Sequence, residues 1–251
     1  MTYIGDANDT ATVLADADTF FYSMGYFSAS DADELTRFST YFDNVAGGAG
    51  PSVFWYIGAF RAALIQVYDL VLPLDMNRAS ILIARLGAIV GALMANRDDK
   101  RSNPVDPFRG RVMPAWGAFT NDRDDQWNTD VVTSGLFVYA MAAFARRVAD
   151  RPDLYPQLHD QAIALITATI ETYQGFRPEL HLVDGDPYAY FNLPLSYSTL
   201  TCSNGAGGCP GYRAGAGKPI SYNENLAMTQ ALAEFHFCPV LSSKPSAWSW
   251  S

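Results

Sequence analysis

Signatures of several well-known enzyme classes are missing from this sequence of 251 residues. It contains no HExxH zinc motif, no GxSxG nucleophile elbow and no pair of CxxC motifs. Two glycine-rich stretches, GAGGCPG and RAGAGKP, do not lead from a strand into a helix, which is the context that phosphate binding requires. The sequence therefore predicts no nucleotide site, and we expect no cofactor and no bound metal ion.

Positive charge is also scarce, with 17 Lys and Arg against 26 Asp and Glu, which gives a net charge of −9. Proteins that bind nucleic acid through its phosphates need a basic face, so we predict no nucleic-acid partner. The apolar run 53–72 approaches the length of a membrane span, but it contains Arg61, Gln66 and Asp69. These polar residues indicate a core helix with one polar edge, so we predict no membrane span.

Cysteine is rare, with three residues in the chain. Cys202 and Cys209 enclose a short, glycine-rich segment, which is compatible with a small disulfide loop or with two unpaired thiols. Cys238 has no obvious partner. A disulfide would favour an extracellular or periplasmic location. The polar, acidic start MTYIGDANDTATVLADAD does not resemble a secretory leader, although a chain whose leader had been removed would look the same.

Hydrophobic residues make up 49% of the chain, which is enough for a sizeable core. Apolar periodicity predicts a single, mainly α-helical domain over 1–251, with 1–30 and 239–251 as peripheral or loosely ordered segments. The six predicted helices cover about 31–45, 52–72, 78–96, 128–150 and 156–173, and a last one begins near Tyr222. Two long irregular stretches, about 97–126 and 175–221, separate them. The Asp184-Gly185 dipeptide predicts one small β-hairpin in the second stretch.

The most informative segment is 127–148, which is apolar nearly all round. A helix without a wide polar face usually lies inside a second layer of helices. Polar and aromatic residues at its start predict a lined cavity there. The short connection to the next helix predicts an antiparallel pair. Gly87 and Gly91 lie one turn apart and would permit close contact between helices.

Three loop segments carry candidate catalytic residues. The stretch NDRDDQWNTD ends in Asp130, which is either a cavity carboxylate or a group that binds the first amides of the helix. The stretch HLVDGDPYAYFN offers acid, base and stacking groups, or it is a surface hairpin with an acidic turn. The stretch SYNENLAM offers amides and a carboxylate, or it is a capped helix start. The candidates from the last two stretches are His181, Asp184, Asp186, Tyr188, Tyr190, Tyr222, Asn223, Glu224 and Asn225.

Three stretches, PAWGAF, WNTDVVTSGLF and YNENLAMxxALAEF, resemble the helical-toroid enzymes that act on glycans. The resemblance covers about 109–237. It implies antiparallel helical hairpins in an (α/α) toroid-like or partial-toroid array, with a substrate cleft formed by the loops at one end. A complete toroid needs twelve helices and the sequence predicts six. The resemblance therefore implies an incomplete toroid, a smaller helical array or a shortened chain.

The resemblance implies a glycan substrate and two possible chemistries. A glycoside hydrolase needs two carboxylates, for which the candidates are Asp130, Asp184, Asp186 and Glu224. A polysaccharide lyase needs an amide to neutralise a uronate, and Tyr or His to move protons, for which the candidates are Asn223, Tyr222, His181 and Tyr190. Candidate substrate-binding residues are Trp116, Trp127, Tyr188, Tyr190, Asn223 and Asn225. The acidic composition favours hydrolysis, and a non-catalytic helical binding or assembly module is the third hypothesis.

Overall fold

The computed structural model describes residues 64–101, 105–120, 126–183, 189–201 and 209–236, and the single positions 12, 15 and 62. The described part is mainly helical, as predicted. After a helical segment at 64–71, the helices are α1 (Met76–Ala95), α2 (Val131–Asp150), α3 (His159–Phe176), α4 (Cys209–Gly215) and α5 (Tyr222–His236). Short 3-10 turns occupy Asp98–Lys100, Pro156–Leu158, Arg177–Glu179 and Leu195–Thr199. The predicted helix 31–45 and the segment 239–251 lie outside the described residues, as does 1–30 apart from positions 12 and 15.

Two small antiparallel hairpins accompany the helices. Strand β1 (Gly117–Thr120) pairs with β2 (Gln126–Thr129), and β3 (Leu180–Leu182) pairs with β4 (Ala189–Phe191). The second hairpin confirms the sequence prediction. The first was not predicted, and it corrects the start of the long helix from 128 to Val131, because 126–129 pair as a strand.

Helix α2 is the central element of the core, as its composition predicted. Fourteen of its 20 residues are buried. It packs against α1, α3 and α5. By length and composition α1 and α2 could each cross a membrane, which is weak evidence of a span, and 78% of the apolar window of α2 is buried within the protein.

The contacts fix the directions of the helices around α2. Gly87 of α1 faces Phe144, whereas Leu93 accepts a hydrogen bond from Trp116, whose ring packs against Phe137. Later residues of α1 therefore meet earlier residues of α2, and the two helices are antiparallel. Helix α3 starts at the same level, because Gln161 Nε2 donates to the carbonyl of Gly87 over 2.7 Å. The neighbours of Gly87 are the side chains of Phe144 and Gln161, and Gly91 lies near Gln161 alone.

Helix α5 runs parallel to α2. Gly135, near the start of α2, lies so close to α5 that an added Cβ would be 2.5 Å from the backbone nitrogen of Met228. Near the end of α2, Arg147 binds Glu234, seven residues or about two turns into α5 beyond Ala227. Arg147 also binds Asp69 at the end of the helical segment 64–71.

These directions give the array two different ends. At one, which we call the closed end, the short connections 72–75 and 151–158 join the helices. At the other, which we call the open end, α1 and α3 finish and α2 and α5 begin. The described parts of the long connections 96–130 and 177–221 both lie at the open end, so distant loop segments meet over the start of α2.

Candidate active site

A buried polar cluster joins three loop segments at the open end. Arg109 donates from Nε and Nη2 to the two carboxylate oxygens of Glu179, over 2.6 and 2.9 Å. Its Nη1 donates to Asp106 Oδ2 and to the carbonyl of Thr129, both over 2.7 Å. Asp106 also accepts from the backbone nitrogen and hydroxyl of Thr129. The loop 105–111 is thereby bound both to Glu179, at the end of the short turn that follows α3, and to Thr129, the residue before Asp130.

Two carboxylates share one guanidinium in this cluster. Burial and the neighbouring charges shift the pKa of Arg109 and the pKa of Glu179. Burial lowers the pKa of Arg109, but the charges of Glu179 and Asp106 outweigh burial and raise it, so Arg109 stays charged. Burial raises the pKa of Glu179, and the Asp106 carboxylate adds to the rise, while Arg109 offsets only part of it. The guanidinium also lies over the Phe176 ring, 5.1 Å from its centroid. The cluster is therefore a buried, anchored ion-pair network.

A second link at the open end involves a small satellite core of Tyr197, Leu200 and Cys209, against which Phe108 and Tyr212 pack. The Tyr197 hydroxyl donates to Asn128 Oδ1, next to the start of α2. Ser196 Oγ donates to the carbonyl of Phe108 over 2.7 Å. Cys209 is disulfide-bonded. Its partner lies outside the described residues, and the chain offers only Cys202 and Cys238 for that bond.

The hairpin β3–β4 projects from the same cluster. His181 pairs with Tyr190 across the strands, and their ring centroids are 4.9 Å apart. His181 is exposed and Tyr190 is partly exposed. The last described pair is Leu182 with Ala189, so the predicted turn at Asp184-Gly185 lies outside the described residues. Asp184, Asp186 and Tyr188 lie outside the described residues.

Helix α5 holds the other strand of this hairpin. Asn225 Oδ1 accepts from the backbone nitrogen of Phe191 over 2.7 Å, and Asn225 Nδ2 donates to the carbonyl of Ile220. The Asn225 amide, expected to bind substrate, is therefore committed to the backbone. Tyr222, Asn223 and Glu224 fall in the first turn of α5, but their side chains lie outside the described part.

The two tryptophans do not provide sugar-stacking surfaces. Trp116 is 1% exposed and its Nε1 donates to the carbonyl of Leu93. Trp127 is 4% exposed and donates to Asp98 Oδ2. Each ring is a core residue whose polar nitrogen is satisfied internally. Asp130 is the N-cap of α2: its Oδ1 accepts from the backbone nitrogen of Thr133 over 2.7 Å. Asp130 therefore has the second of its two predicted roles, binding the first amides of the helix.

The structure thus places His181 beside Tyr190, on a hairpin whose backbone is bound by Asn225. Both tryptophans lie in the core. Sequence reasoning did not connect Arg109 with Asp106 and Glu179. Among the described residues, no group of three or more His, Cys, Asp or Glu could hold a metal ion. Comparison of the chain with protein-family models, with curated proteins and with solved structures finds no match.

Proposed function

We propose that this chain is a glycan-active enzyme with a toroid-like array of helical hairpins, and that it cleaves a polysaccharide at its open end. The helix directions support the array. The segment 64–71, α2 and α5 run in one direction, while α1 and α3 run in the other. In a toroid of helical hairpins, the inner helices run in one direction and the outer helices run in the opposite direction, so directions alternate along the chain in the same way. The gathering of two long connections at one end supports a cleft there.

The observation that carries the chemistry is the contact between His181 and Tyr190 on an accessible hairpin. A uronate polymer can be cleaved by elimination when a base removes the C5 proton and an acid protonates the oxygen that leaves C4. The C4–O bond breaks and a C4–C5 double bond forms. Histidine and tyrosine can serve as that base and acid when they lie within reach of one sugar ring. We therefore favour elimination, with the Asn223 amide as the candidate group that neutralises the uronate.

Hydrolysis by two carboxylates is the second candidate. In sequence, Asp184 and Asp186 lie between β3 and β4, the strands that carry His181 and Tyr190. Glu224 falls in the first turn of α5, whose Asn225 binds the same hairpin. A cleft at this hairpin would therefore have carboxylates within its own sequence segments. Asp130 leaves this set because its carboxylate caps α2.

The experiment is a product assay on a panel of uronate polymers and neutral glycans. Elimination increases both ultraviolet absorbance, from the unsaturated product, and reducing ends; hydrolysis increases reducing ends alone. For elimination, we expect His181→Gln and Tyr190→Phe to abolish turnover. The matched control is His159→Gln, at the start of α3, whose side chain is 48% exposed.

If reducing ends rise without absorbance, and Asp184→Asn, Asp186→Asn or Glu224→Gln abolishes them, the enzyme is a hydrolase. If His181→Gln and Tyr190→Phe retain full activity, the proposed acid–base pair is wrong. Inactivity on the whole panel, together with a specific protein partner, would favour a binding or assembly module.

A further inference from the structure

We propose that Arg109 is a positioning residue that fixes the hairpin carrying His181 and Tyr190 at the start of α2. The catalytic meaning of this inference rests on the proposed function, because it assumes that the pair acts on substrate. The geometric part does not, since the placement of the hairpin can be measured without any substrate.

The first step is the link between Arg109 and the base of the hairpin. Glu179 directly precedes β3, and both of its carboxylate oxygens are bound by Arg109. Its main-chain carbonyl accepts from the backbone nitrogen of Asn192, just beyond β4, over 2.8 Å. One residue therefore receives the guanidinium through its side chain and closes the base of the hairpin through its backbone.

The second step is the rigidity of Arg109 itself. Its Nη1 binds Asp106 and the carbonyl of Thr129, which adjoins the cap of α2. The side chains of Arg109 and Asp106 are almost fully buried. A planar guanidinium with all these acceptors in fixed directions has little freedom to tilt. Arg109 therefore fixes Glu179, and the strand that follows it, relative to the start of α2.

The third step is that the pair lies between two anchors. His181 is two residues after Glu179, and Tyr190 immediately precedes Phe191, whose nitrogen is bound by Asn225 of α5. Arg109 therefore holds the β3 side of the hairpin and Asn225 holds the β4 side. Loss of either anchor would let one strand shift relative to the other.

The central test is Arg109→Lys, which keeps the charge and removes the fork that binds both oxygens of Glu179. Its matched control is Arg147→Lys at the closed end, where Arg147 also lies between two carboxylates, Asp69 and Glu234. Glu179→Gln is a second variant, which keeps the shape of the side chain and weakens the pair, in case Arg109→Lys does not fold.

Two measurements report the hairpin without substrate. The first is the displacement of the His181 ring proton signals by the Tyr190 ring, defined as the difference between the native protein and Tyr190→Leu. We expect Arg109→Lys to lose most of that displacement and Arg147→Lys to keep it. The second is the carbethoxylation rate of His181 relative to His159, which we expect to rise in Arg109→Lys alone. Unchanged signals and rates in both Arg109→Lys and Glu179→Gln would overturn the inference.

Activity supplies the functional readout. A misplacement of about 1 Å can reduce turnover about 100-fold, so we expect kcat to fall by that order in Arg109→Lys with KM little changed. Asn225→Ala should give the same split. A loosened hairpin in a protein that cleaves no glycan would refute the proposed function and leave the positioning role standing. An active protein whose kcat is unchanged in both Arg109→Lys and Asn225→Ala would refute the positioning role.

Discussion

The two ends of the helix array use the same device in different surroundings. At the closed end, Arg147 lies between Asp69 and Glu234, and the Asp69 side chain is 47% exposed. At the open end, Arg109 lies between Asp106 and Glu179, whose side chains are 0% and 13% exposed. Short turns at the closed end need little beyond helix packing to hold them. Long loops bury backbone polar groups that must find partners, so the open end depends on a dry ion-pair network.

The largest expected effect comes from removing each arginine in turn. Arg109→Met leaves two buried carboxylates without their guanidinium, which should lower the free energy of unfolding by about 3–5 kcal/mol. Arg147→Met should cost only about 1 kcal/mol, because Asp69 is solvated and Glu234 keeps Arg146 at 3.2 Å. Urea unfolding of both variants measures the difference. Equal losses would show that the two ends do not differ in this way.

The next effect concerns the contact between α2 and α5 near the open end. Gly135→Ala places a Cβ 2.5 Å from the backbone nitrogen of Met228, so the helices must separate, at a cost of about 3 kcal/mol. Gly91→Ala is the control, because its Cβ would meet only the end of the flexible Gln161 side chain. There we expect no loss or a gain of roughly 0.5–1 kcal/mol from the helix preference of alanine. Thermal denaturation distinguishes the two, and a harmless Gly135→Ala would contradict the close approach.

Reduction of the disulfide should weaken the open end selectively. Loss of the bond to Cys209 should lower stability by about 2 kcal/mol and open the satellite core around Tyr197. We expect a lower Tm under reductant and faster proteolysis within 193–217, and no response to reductant in Cys209→Ser. Testing Cys202→Ser and Cys238→Ser separately identifies the partner. A Tm that reductant leaves unchanged would contradict a stabilising role.

Two aspartates that cap helices at opposite ends give a smaller effect. Asp75 caps α1 at the closed end and Asp130 caps α2 at the open end, each accepting from the backbone nitrogen three residues later. Replacement by alanine should cost about 1 kcal/mol at either site. Because the Asp130 carboxylate serves as a cap, Asp130→Ala should retain turnover of any glycan substrate at a temperature where it is folded. Complete loss of turnover in a folded Asp130→Ala protein would restore its catalytic alternative.

The smallest effect is a pH dependence at the open end. Because the pKa of Glu179 is raised by folding, the folded state binds more protons than the unfolded state just above the usual range for glutamate. The contribution of Glu179 to stability should therefore fall as the pH rises through and above the usual range for glutamate. Comparison with Glu179→Gln over this range isolates that contribution. A difference that grows with pH would reverse the sign and contradict the raised pKa.

The helices were predictable because each carries a local pattern. Helix α1 was predicted at 78–96 and lies at Met76–Ala95, and the burial of α2 followed from its lack of a polar face. The β1–β2 hairpin was missed because GAFT and QWNT are too short to show a strand period. Helix α4 was missed because CPGYRAG contains proline and glycine, which favour turns.

The site was less predictable because its contacts are distant in sequence. Arg109 and Glu179 are 70 residues apart, and no pattern in either segment indicates that the two side chains pair. Trp116 and Trp127 suited stacking by composition, yet burial depends on the whole fold. In contrast, the sequence could place His181 and Tyr190 in one hairpin, because a hairpin pairs residues that are close along the chain.

Helix α3 is attached to the rest of the protein near its start and near its end. Gln161 binds the carbonyl of Gly87 near the start of α3, and Thr172 Oγ1 donates to the carbonyl of Pro114 near its end, over 2.6 Å. The attachments are eleven residues apart, which is about 16 Å along a helix. A rod fixed at two separated points can neither slide nor pivot against its neighbours. If the proposed glycan cleft closes around its substrate, we therefore expect the loops to move and the helical framework to stay still.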